Sequence, residues 1–307
     1  PAGTIVHTGD FKIDCTPITG DMIDLSSFAQ VGDEGVLALL AESTNAERPG
    51  YTPTERLVSG SFDNLFRSAE KYRIIIATFA SNVNRVQQII DCAEKYGRKV
   101  AFSGRSMVNY MEVAKKLGYL HVPENILIDI DMLDKYLPEE IVLVTTGSQG
   151  EPMSALSRMA YSDHRKVVVG EGDFIIISAN PIPGNEKTVG NVVDELLKRG
   201  CKVIYESMYE VHVSGHACQE ELKIIHRLVK PKYFIPVHGE QKHLRKHAEL
   251  AEFLGMNKKN IYIGDVGSTV EVNESYMKEL APVPSGKVSV AGLGVGDVGS
   301  IVLRERK

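Results

Sequence analysis

The chain has 307 residues, of which 43% are hydrophobic and 24% are charged, as in an ordinary globular protein. No apolar run approaches the roughly 20 residues that a transmembrane helix needs, so we expect no membrane role. The formal net charge of −5 does not indicate a nucleic-acid-binding protein. It does not exclude one either, because phosphates respond to the charges nearest them. A chain of this length predicts two domains.

Four widely spaced cysteines form no C-x-x-C pair of the kind found in zinc or redox sites. This spacing predicts a reducing, cytoplasmic compartment. The sequence opens with Pro1 directly before an apolar run and shows no signal-peptide pattern, so we expect it to begin inside a longer protein.

Apolar runs rich in β-branched residues alternate with longer amphipathic segments along most of the chain. This alternation is typical of parallel strands joined by crossover helices, and it predicts an α/β fold. In open parallel sheets ligands bind beyond the carboxyl ends of the strands, so a site is expected there. The predicted strands are Thr4–Thr8, Gly35–Ala41, Arg73–Phe79, Lys99–Ser103, Ile141–Thr145, Phe174–Ser178, Lys202–Tyr205, Tyr233–Val237 and Ile261–Ile263.

Two helices have clear start signals in the sequence. Thr52, Pro53 and Glu55 have the pattern of a capping box with proline at the first helical position, and they predict a helix to about Lys71. A second helix is predicted over Ser81–Tyr96, where the first two residues are both good caps.

Carboxylates follow the first two predicted strands. Asp10 closes the run His7-Thr8-Gly9-Asp10, and Glu42 follows the apolar run VLALLA. A carboxylate at either position could bind a metal ion or act as a catalytic acid. A turn or capping role is equally compatible with both sequences, so the residues alone leave both interpretations open.

Histidines mark two further positions. His212 and His216 flank Val-Ser-Gly, which disfavours a helix, so both are expected on a loop that leads into a helix near Ala217. Imidazoles and backbone N–H groups at a helix N-terminus suit a phosphate. His238 follows the strand YFIPV and is a candidate zinc or manganese ligand, although a lone histidine is more often structural.

A second pair of histidines, His243 and His247, lies four residues apart on a predicted helix. The spacing is that of a zinc-binding pair, but no glutamate base lies between them. We therefore expect this pair to lie on a solvated helix face.

Two strand-to-helix turns, Thr146–Glu151 and Ser178–Asn185, have the composition of phosphate- or ribose-binding loops. Neither contains the Gly-Lys-Ser/Thr of a Walker motif. Together with Ser81, Asn82 and Arg85 they predict an anion pocket, although each turn singly is equally typical of an ordinary loop.

Seven motifs occur together in the order and spacing of the ribonuclease J family, which the chain resembles over essentially its whole length: HTGDFKID, AESTNAE, ATFASN, TTGSQGEPM, SANPIPGN, HVSGHA and PVHGE. This resemblance implies a partial metallo-β-lactamase αββα fold with an inserted Rossmann-like β-CASP domain. The implied segments are 1–52 (metallo-β-lactamase), 53–210 (β-CASP), 211–280 (metallo-β-lactamase return) and 281–307 (start of a linker).

The resemblance also implies roles for individual residues. Asp10 resembles the aspartate that bridges two metal ions, and His238 resembles the last histidine ligand. Glu42 and His216 resemble an acid and a histidine that stabilise the scissile phosphate and protonate the leaving oxygen. The residues implied to bind RNA or its phosphates are Ser81, Asn82, Arg85, Ser178, Asn180, His212, Ser214 and Gly215.

The implied function is that of a metal-dependent ribonuclease, acting as a 5′-to-3′ exonuclease and an endonuclease in RNA processing and decay. Two divalent ions, zinc first and manganese or magnesium as alternatives, would support in-line attack on the phosphodiester. The implied partners are RNA with a 5′-monophosphate end and further copies of the protein in a dimer or tetramer.

The sequence departs from the family at its main metal motif, since it contains no His-x-His-x-Asp-His. A catalytic zinc normally has three protein ligands, so Asp10 and His238 alone predict an incomplete metal site and little nuclease activity for residues 1–307 by themselves. A non-catalytic RNA-binding or assembly partner is the alternative, and the retained Asp10, Glu42, His216 and His238 argue against it. A small-molecule hydrolase would have no obvious use for the inserted domain.

Overall fold

The computed structural model describes residues 2–182, 184–205 and 209–286, together with the backbone of 290–291 and 294–295. None of the helices in these ranges is long and apolar enough to cross a bilayer. The chain divides into two compact units. Unit 1 comprises Pro1–Ile13, Ile23–Thr52 and Gly215–Lys307, and unit 2 comprises Asp14–Met22 and Pro53–Ser214. Most of the expected linker, 281–307, lies outside the described residues.

The helices and strands alternate along the chain. In chain order they are β1 (Thr4–His7), α1 (Leu25–Glu34), β2 (Val36–Glu42), α2 (Arg56–Ser68), β3 (Arg73–Ala77), α3 (Val83–Lys95), β4 (Lys99–Ser103), α4 (Arg105–Lys116), β5 (Ile141–Thr145), α5 (Ala155–Ala160), β6 (Asp173–Ile177), α6 (Glu186–Lys198), β7 (Lys202–Ile204), α7 (Gln219–Val229), β8 (Tyr233–Val237), α8 (Gln241–Phe253), β9 (Thr269–Val272), β10 (Met277–Leu280), β11 (Val290–Ala291) and β12 (Gly294–Val295). Short 3₁₀ helices cover Ile130–Lys135, Pro138–Glu140 and Lys258–Asn260.

Unit 1 is built on a parallel sheet with the strand order β1-β2-β8. The central strand β2 is buried along almost its whole length, which explains its unbroken apolar sequence. Helices α7 and α8 contribute Ile225 and Ala251 to the main core, where they join Leu39 of β2 and Phe234 of β8. The parallel arrangement brings the carboxyl ends of these strands to one edge of the sheet.

Unit 2 contains a five-stranded parallel sheet with the order β4-β5-β3-β6-β7. Alternate residues of β3 enter two different cores: Ile74 and Ile76 join the core that includes α2, α3 and α4, and Ile75 and Ala77 join the core that includes α5 and α6. Since helices cover both faces, the strand needs apolar residues at every position. The strand order reverses around β3, so the turns after β5 and β6 flank its carboxyl end.

The predicted α/β class is confirmed, and all predicted strands form except Ile261–Ile263. That segment makes only an isolated bridge from Ile261 to Phe234. The hairpin of β9 and β10 was not predicted, because its strands are short and half of their residues are polar or charged.

The predicted capping box at Thr52 is wrong, because α2 begins at Arg56. In unit 1 the Thr52 hydroxyl donates to the His216 carbonyl, and in unit 2 the Glu55 carboxylate pairs with Arg85. Tertiary hydrogen bonds therefore take the two side chains that the local pattern assigned to a cap. The second predicted helix is confirmed as α3.

Candidate active site

The candidate active site lies at the carboxyl edge of the unit 1 sheet. Asp10 follows β1, Glu42 ends β2, and His238 comes directly after β8. His216 lies on the loop before α7, as expected from the sequence. The strand order β1-β2-β8 brings these four residues, which are far apart in the sequence, to one edge.

Three of these residues could hold a metal ion. Asp10, His216 and His238 each offer one ligand atom, and these atoms all lie within 4.8 Å of one another. The His238 Nε2 atom is 3.4 Å from the Asp10 Oδ1 atom, and the two imidazole rings are 5.7 Å apart between centroids. Two imidazoles and one carboxylate are donors that zinc and manganese accept, so the residues present fit a divalent ion.

Glu42 and His216 form a buried hydrogen-bonded pair. The Glu42 carboxylate is 1% exposed; its Oε2 atom accepts from His216 Nδ1 at 2.9 Å, and its Oε1 atom accepts from the backbone N–H groups of Phe11 and Ala217. Because Nδ1 carries the proton, the pair leaves His216 Nε2 as the ring atom available for other contacts.

Each partner shifts the pKa of the other. Burial alone would raise the pKa of Glu42, but hydrogen bonding and the charge of His216, with the Phe11 N–H, hold it below the usual range. The hydrogen bond to Glu42 raises the pKa of His216 against the opposing effect of burial, and the charges of Glu42 and Asp10 raise it further. The pair therefore favours a carboxylate beside a protonated imidazole.

Glu221 is a structural carboxylate of unit 1 that the sequence analysis missed. It is fully buried and accepts backbone N–H groups from Ile13 at 2.7 Å, Thr52 at 2.7 Å and Cys218 at 2.8 Å. These groups belong to the segment after Asp10, the segment after β2 and the start of α7. The signal in the sequence was a glutamate at the third position of a helix, which predicts a cap but not its distant partners.

The expectation of a solvated face for His243 and His247 is wrong for His247. That side chain is 2% exposed, and its ring packs 4.7 Å from the Phe234 ring between centroids. Burial lowers its pKa to about 3, so the ring is uncharged at neutral pH. His243 accepts the Glu240 N–H at the start of α8. Because α8 packs against β8, His247 lies on the buried face of the helix.

In unit 2, three of the side chains expected to bind phosphate bind other protein groups. Arg85 is fully buried and donates to the Ser178 hydroxyl and the Val211 carbonyl, both at 2.6 Å, and to Glu55 at 2.8 Å. Burial lowers the pKa of Arg85, and the Glu55 carboxylate partly offsets this. Asn82 caps α3 by accepting the Arg85 N–H. The structure thus gives Arg85 and Ser178 supporting contacts in the interior.

The turns after β5 and β6 are joined by Gln149, another residue that the sequence analysis missed. Its side chain donates to the Asn180 carbonyl at 2.8 Å and accepts the Ile182 N–H at 2.7 Å. Ser81 is exposed after β3. Among the expected nucleotide-binding residues before His216, those at 212 and 214 are partly buried and the glycine at 215 is exposed.

Two family models match the chain. Residues 71–196 match "Ribonuclease J, beta-CASP domain", and residues 201–263 match "Zn-dependent metallo-hydrolase RNA specificity domain". These matches confirm the expected β-CASP and metallo-β-lactamase class of fold.

The chain is also similar to curated and solved proteins. It is 45% identical to Ribonuclease J2 of Bacillus subtilis, covering 99% of this chain and 55% of that protein. It is 45% identical to Ribonuclease J of Helicobacter pylori, covering 100% of this chain and 44% of that protein. It is 44% identical to Ribonuclease J of Thermus thermophilus, covering 100% of this chain and 53% of that protein. The crystal structure of a protein of unknown function from Enterococcus faecalis V583 shares the fold, with a TM-score of 0.56 and 15% identity over 91% of this chain and 59% of that one.

The chain spans about half the length of the curated relatives it matches. Its motifs, both family models and these identities agree, and the chain belongs to the ribonuclease J family.

Proposed function

We propose that the protein hydrolyses RNA phosphodiesters as a metal-dependent ribonuclease, by both exonuclease and endonuclease action. The observation that carries this proposal is the Glu42–His216 pair beside Asp10 and His238 at one sheet edge. The names of its relatives support RNA as the substrate.

A divalent ion bound by Asp10 and His238 would lower the pKa of water and neutralise charge on a phosphate. The nitrogen and oxygen donors support zinc first, with manganese or magnesium as alternatives. We propose two ions for the whole protein and only weak binding by residues 1–307 alone, because three donors are too few for two ions and His216 is proposed to act as the acid.

His216 is proposed to protonate the leaving oxygen. Glu42 holds the Nδ1–H group of the ring, and the raised pKa of His216 keeps a proton available at Nε2 near neutral pH. General acid catalysis by a positioned imidazole contributes typically about 10² to 10⁴ to a rate. The phosphate would approach on the exposed side of the pair, where His238 and Asp10 lie.

Substitution of His216 tests this role. We expect His216→Gln to lower kcat for cleavage of a labelled RNA by about 10² or more, since glutamine cannot supply the proton. His121→Gln, which changes an exposed histidine of unit 2, is the matched control and should leave kcat unchanged. Equal rates for His216→Gln and the unmodified protein would refute the assignment.

We propose that the turns of unit 2 recognise a 5′-monophosphate through Ser81, Asn82 and Asn180. Exposed Ser81 and the turns bridged by Gln149, both beyond strand ends, support this pocket. Arg85 and Ser178 would support it from the interior, and His212, Ser214 and Gly215 would line the path of the nucleotide.

The test is the ratio of cleavage rates for 5′-monophosphate and 5′-triphosphate RNA. Ser81→Ala with Asn82→Ala should reduce this ratio, because both polar contacts are lost. Asn82→Ser alone keeps a capping side chain for α3, so it controls for helix stability. An unchanged ratio in the double variant would remove these residues from the pocket.

We also propose how the chain is divided into segments, how the protein assembles and where it is located. We propose metallo-β-lactamase segments at 1–52 and 211–280 and a β-CASP segment at 53–210, which resemble the boundaries of the two units. A dimer or tetramer is proposed and would be tested by light scattering. A cytoplasmic location is proposed, and the four unpaired cysteines in the structure support it.

A further inference from the structure

His238 has a backbone conformation that histidine rarely adopts. Its φ is +55°, in the left-handed region that favours glycine. A residue with a side chain stays there only when its surroundings hold it, and such residues cluster at functional sites. The turn comes directly after β8 and brings the His238 ring to 3.4 Å from Asp10. The contacts that hold this turn therefore affect the proposed metal site.

The end of β2 supplies those contacts. The Ser43 N–H and the Thr44 hydroxyl both donate to the His238 carbonyl, each at 3.3 Å. A Cβ added at Gly239 would lie 3.4 Å from the Ser43 Cβ atom and 2.9 Å from the neighbouring side chain of α8, so glycine permits this close approach. The ends of the two strands are thus held together beyond their regular pairing.

His247 supports the same turn from the core. Its Nδ1 atom is 3.0 Å from the Ser43 hydroxyl. The ring also packs on Phe234 of β8. Because it is buried, the ring can hold the Ser43 side chain at the end of β2 in a fixed position against β8.

We propose that Ser43, Thr44 and His247 are positioning residues that hold Glu42 and His238 in the geometry needed for RNA hydrolysis. The use of this geometry in RNA hydrolysis rests on the proposed function, whereas the contacts that hold the geometry do not depend on it. The three residues act through others: the Ser43 N–H and the Thr44 hydroxyl bind the His238 carbonyl, and His247 contacts the Ser43 hydroxyl next to Glu42.

Crystal structures of metal-free variants test the geometry without reference to activity. Thr44→Val removes the hydroxyl that donates to the His238 carbonyl, and Ser43→Ala keeps the Ser43 N–H but removes the contact of its hydroxyl with His247. In each variant we expect His238 to leave the left-handed region and its Nε2 atom to move farther from Asp10. Thr269→Val removes a similar hydroxyl-to-carbonyl bond, from Thr269 to Ala281 in unit 1, and should leave His238 unchanged. An unchanged His238 turn in both site variants would overturn the proposal.

Kinetics provide the second readout. Loss of such a supporting contact typically costs about 10- to 100-fold in activity or metal affinity. We expect His247→Leu to lower kcat by this factor with KM for RNA unchanged, and His247→Asn, which keeps a polar group near Nδ1, to recover part of the rate. If His247→Leu does not fold, Thr44→Val and Ser43→Ala carry the same test.

The outcomes separate this proposal from the proposed function. If the unmodified protein cleaves RNA and the Thr44→Val and Ser43→Ala variants cleave it equally well, the positioning role is wrong. If the whole protein does not cleave RNA with or without the substitutions, the ribonuclease function is wrong, and the crystal structures alone decide whether these residues hold the turn.

Discussion

At the residue scale, Glu42 and His216 shift each other's pKa in opposite directions, and this makes the stability of unit 1 depend on pH. The stabilisation from His216 is fully present below its unfolded pKa of 6.5 and is lost as the pH rises through the raised folded value. The stabilisation from Glu42 is present above its unfolded pKa of 4.5 and is lost as the pH falls through the lowered folded value.

We therefore expect the contribution of the pair to be largest between pH 4.5 and 6.5. The measurement is the free energy of unfolding of the unmodified protein and of His216→Gln from pH 4 to 9. The difference between them should shrink above the upper limit and below the lower one. A difference that grows steadily toward alkaline pH would contradict a raised pKa for His216 and a lowered pKa for Glu42.

Sequence reasoning found the residues at strand ends but not their supports. Asp10, Glu42 and His238 each follow an apolar run, and this position is visible in a single sequence. Ser43 and His247 are 204 residues apart, and nothing local to either residue indicates the other. A solvated face was expected for His243 and His247 because no glutamate base lies between them, and the period of a helix does not tell which face a neighbouring strand covers.

At the element scale, Glu221 joins three segments of unit 1 through three backbone N–H groups. We expect Glu221→Gln to lower the free energy of unfolding by about 2 kcal/mol, because a buried N–H group loses its acceptor. Chemical denaturation measures this change.

The adjacent glutamate provides a control for that variant. Glu220 pairs with Lys223 one helical turn away, at a partly exposed position of the same helix. Glu220→Gln should change stability by no more than about 0.5 kcal/mol. Equal effects of the two substitutions would show that the buried hydrogen bonds of Glu221 contribute no more to the free energy of unfolding than a surface ion pair does.

Most strands of the two parallel sheets were predictable because both of their faces are buried, which leaves continuous apolar runs such as residues 74–77 of β3. Helix starts were less predictable. The motif at Thr52 satisfied the local pattern of a cap, yet Thr52 and Glu55 bind distant groups in their own units. The β9–β10 hairpin was missed because half of its TVEV and MKEL strands is charged or polar.

At the scale of the whole molecule, the net charge of −5 gave no indication of an RNA-binding protein. The candidate site explains why the overall charge is a poor guide, since Asp10 and Glu42 are themselves acidic groups of the proposed catalytic centre. A bound divalent ion would make the local charge positive at the place where the phosphate approaches. The family was recognisable from seven motifs, whereas the supports at Ser43, Gln149 and Glu221 required the structure.

The central claim is that Asp10 and His238 hold a divalent ion for RNA hydrolysis. The most direct measurement is cleavage of a labelled RNA by the metal-stripped whole protein, of which residues 1–307 are part, with and without added zinc or manganese, for the unmodified protein and Asp10→Asn. We predict that cleavage requires the added ion and that Asp10→Asn lowers it by about 10² or more. Cleavage that survives metal removal, equal cleavage by Asp10→Asn, or no cleavage under any condition would contradict the claim.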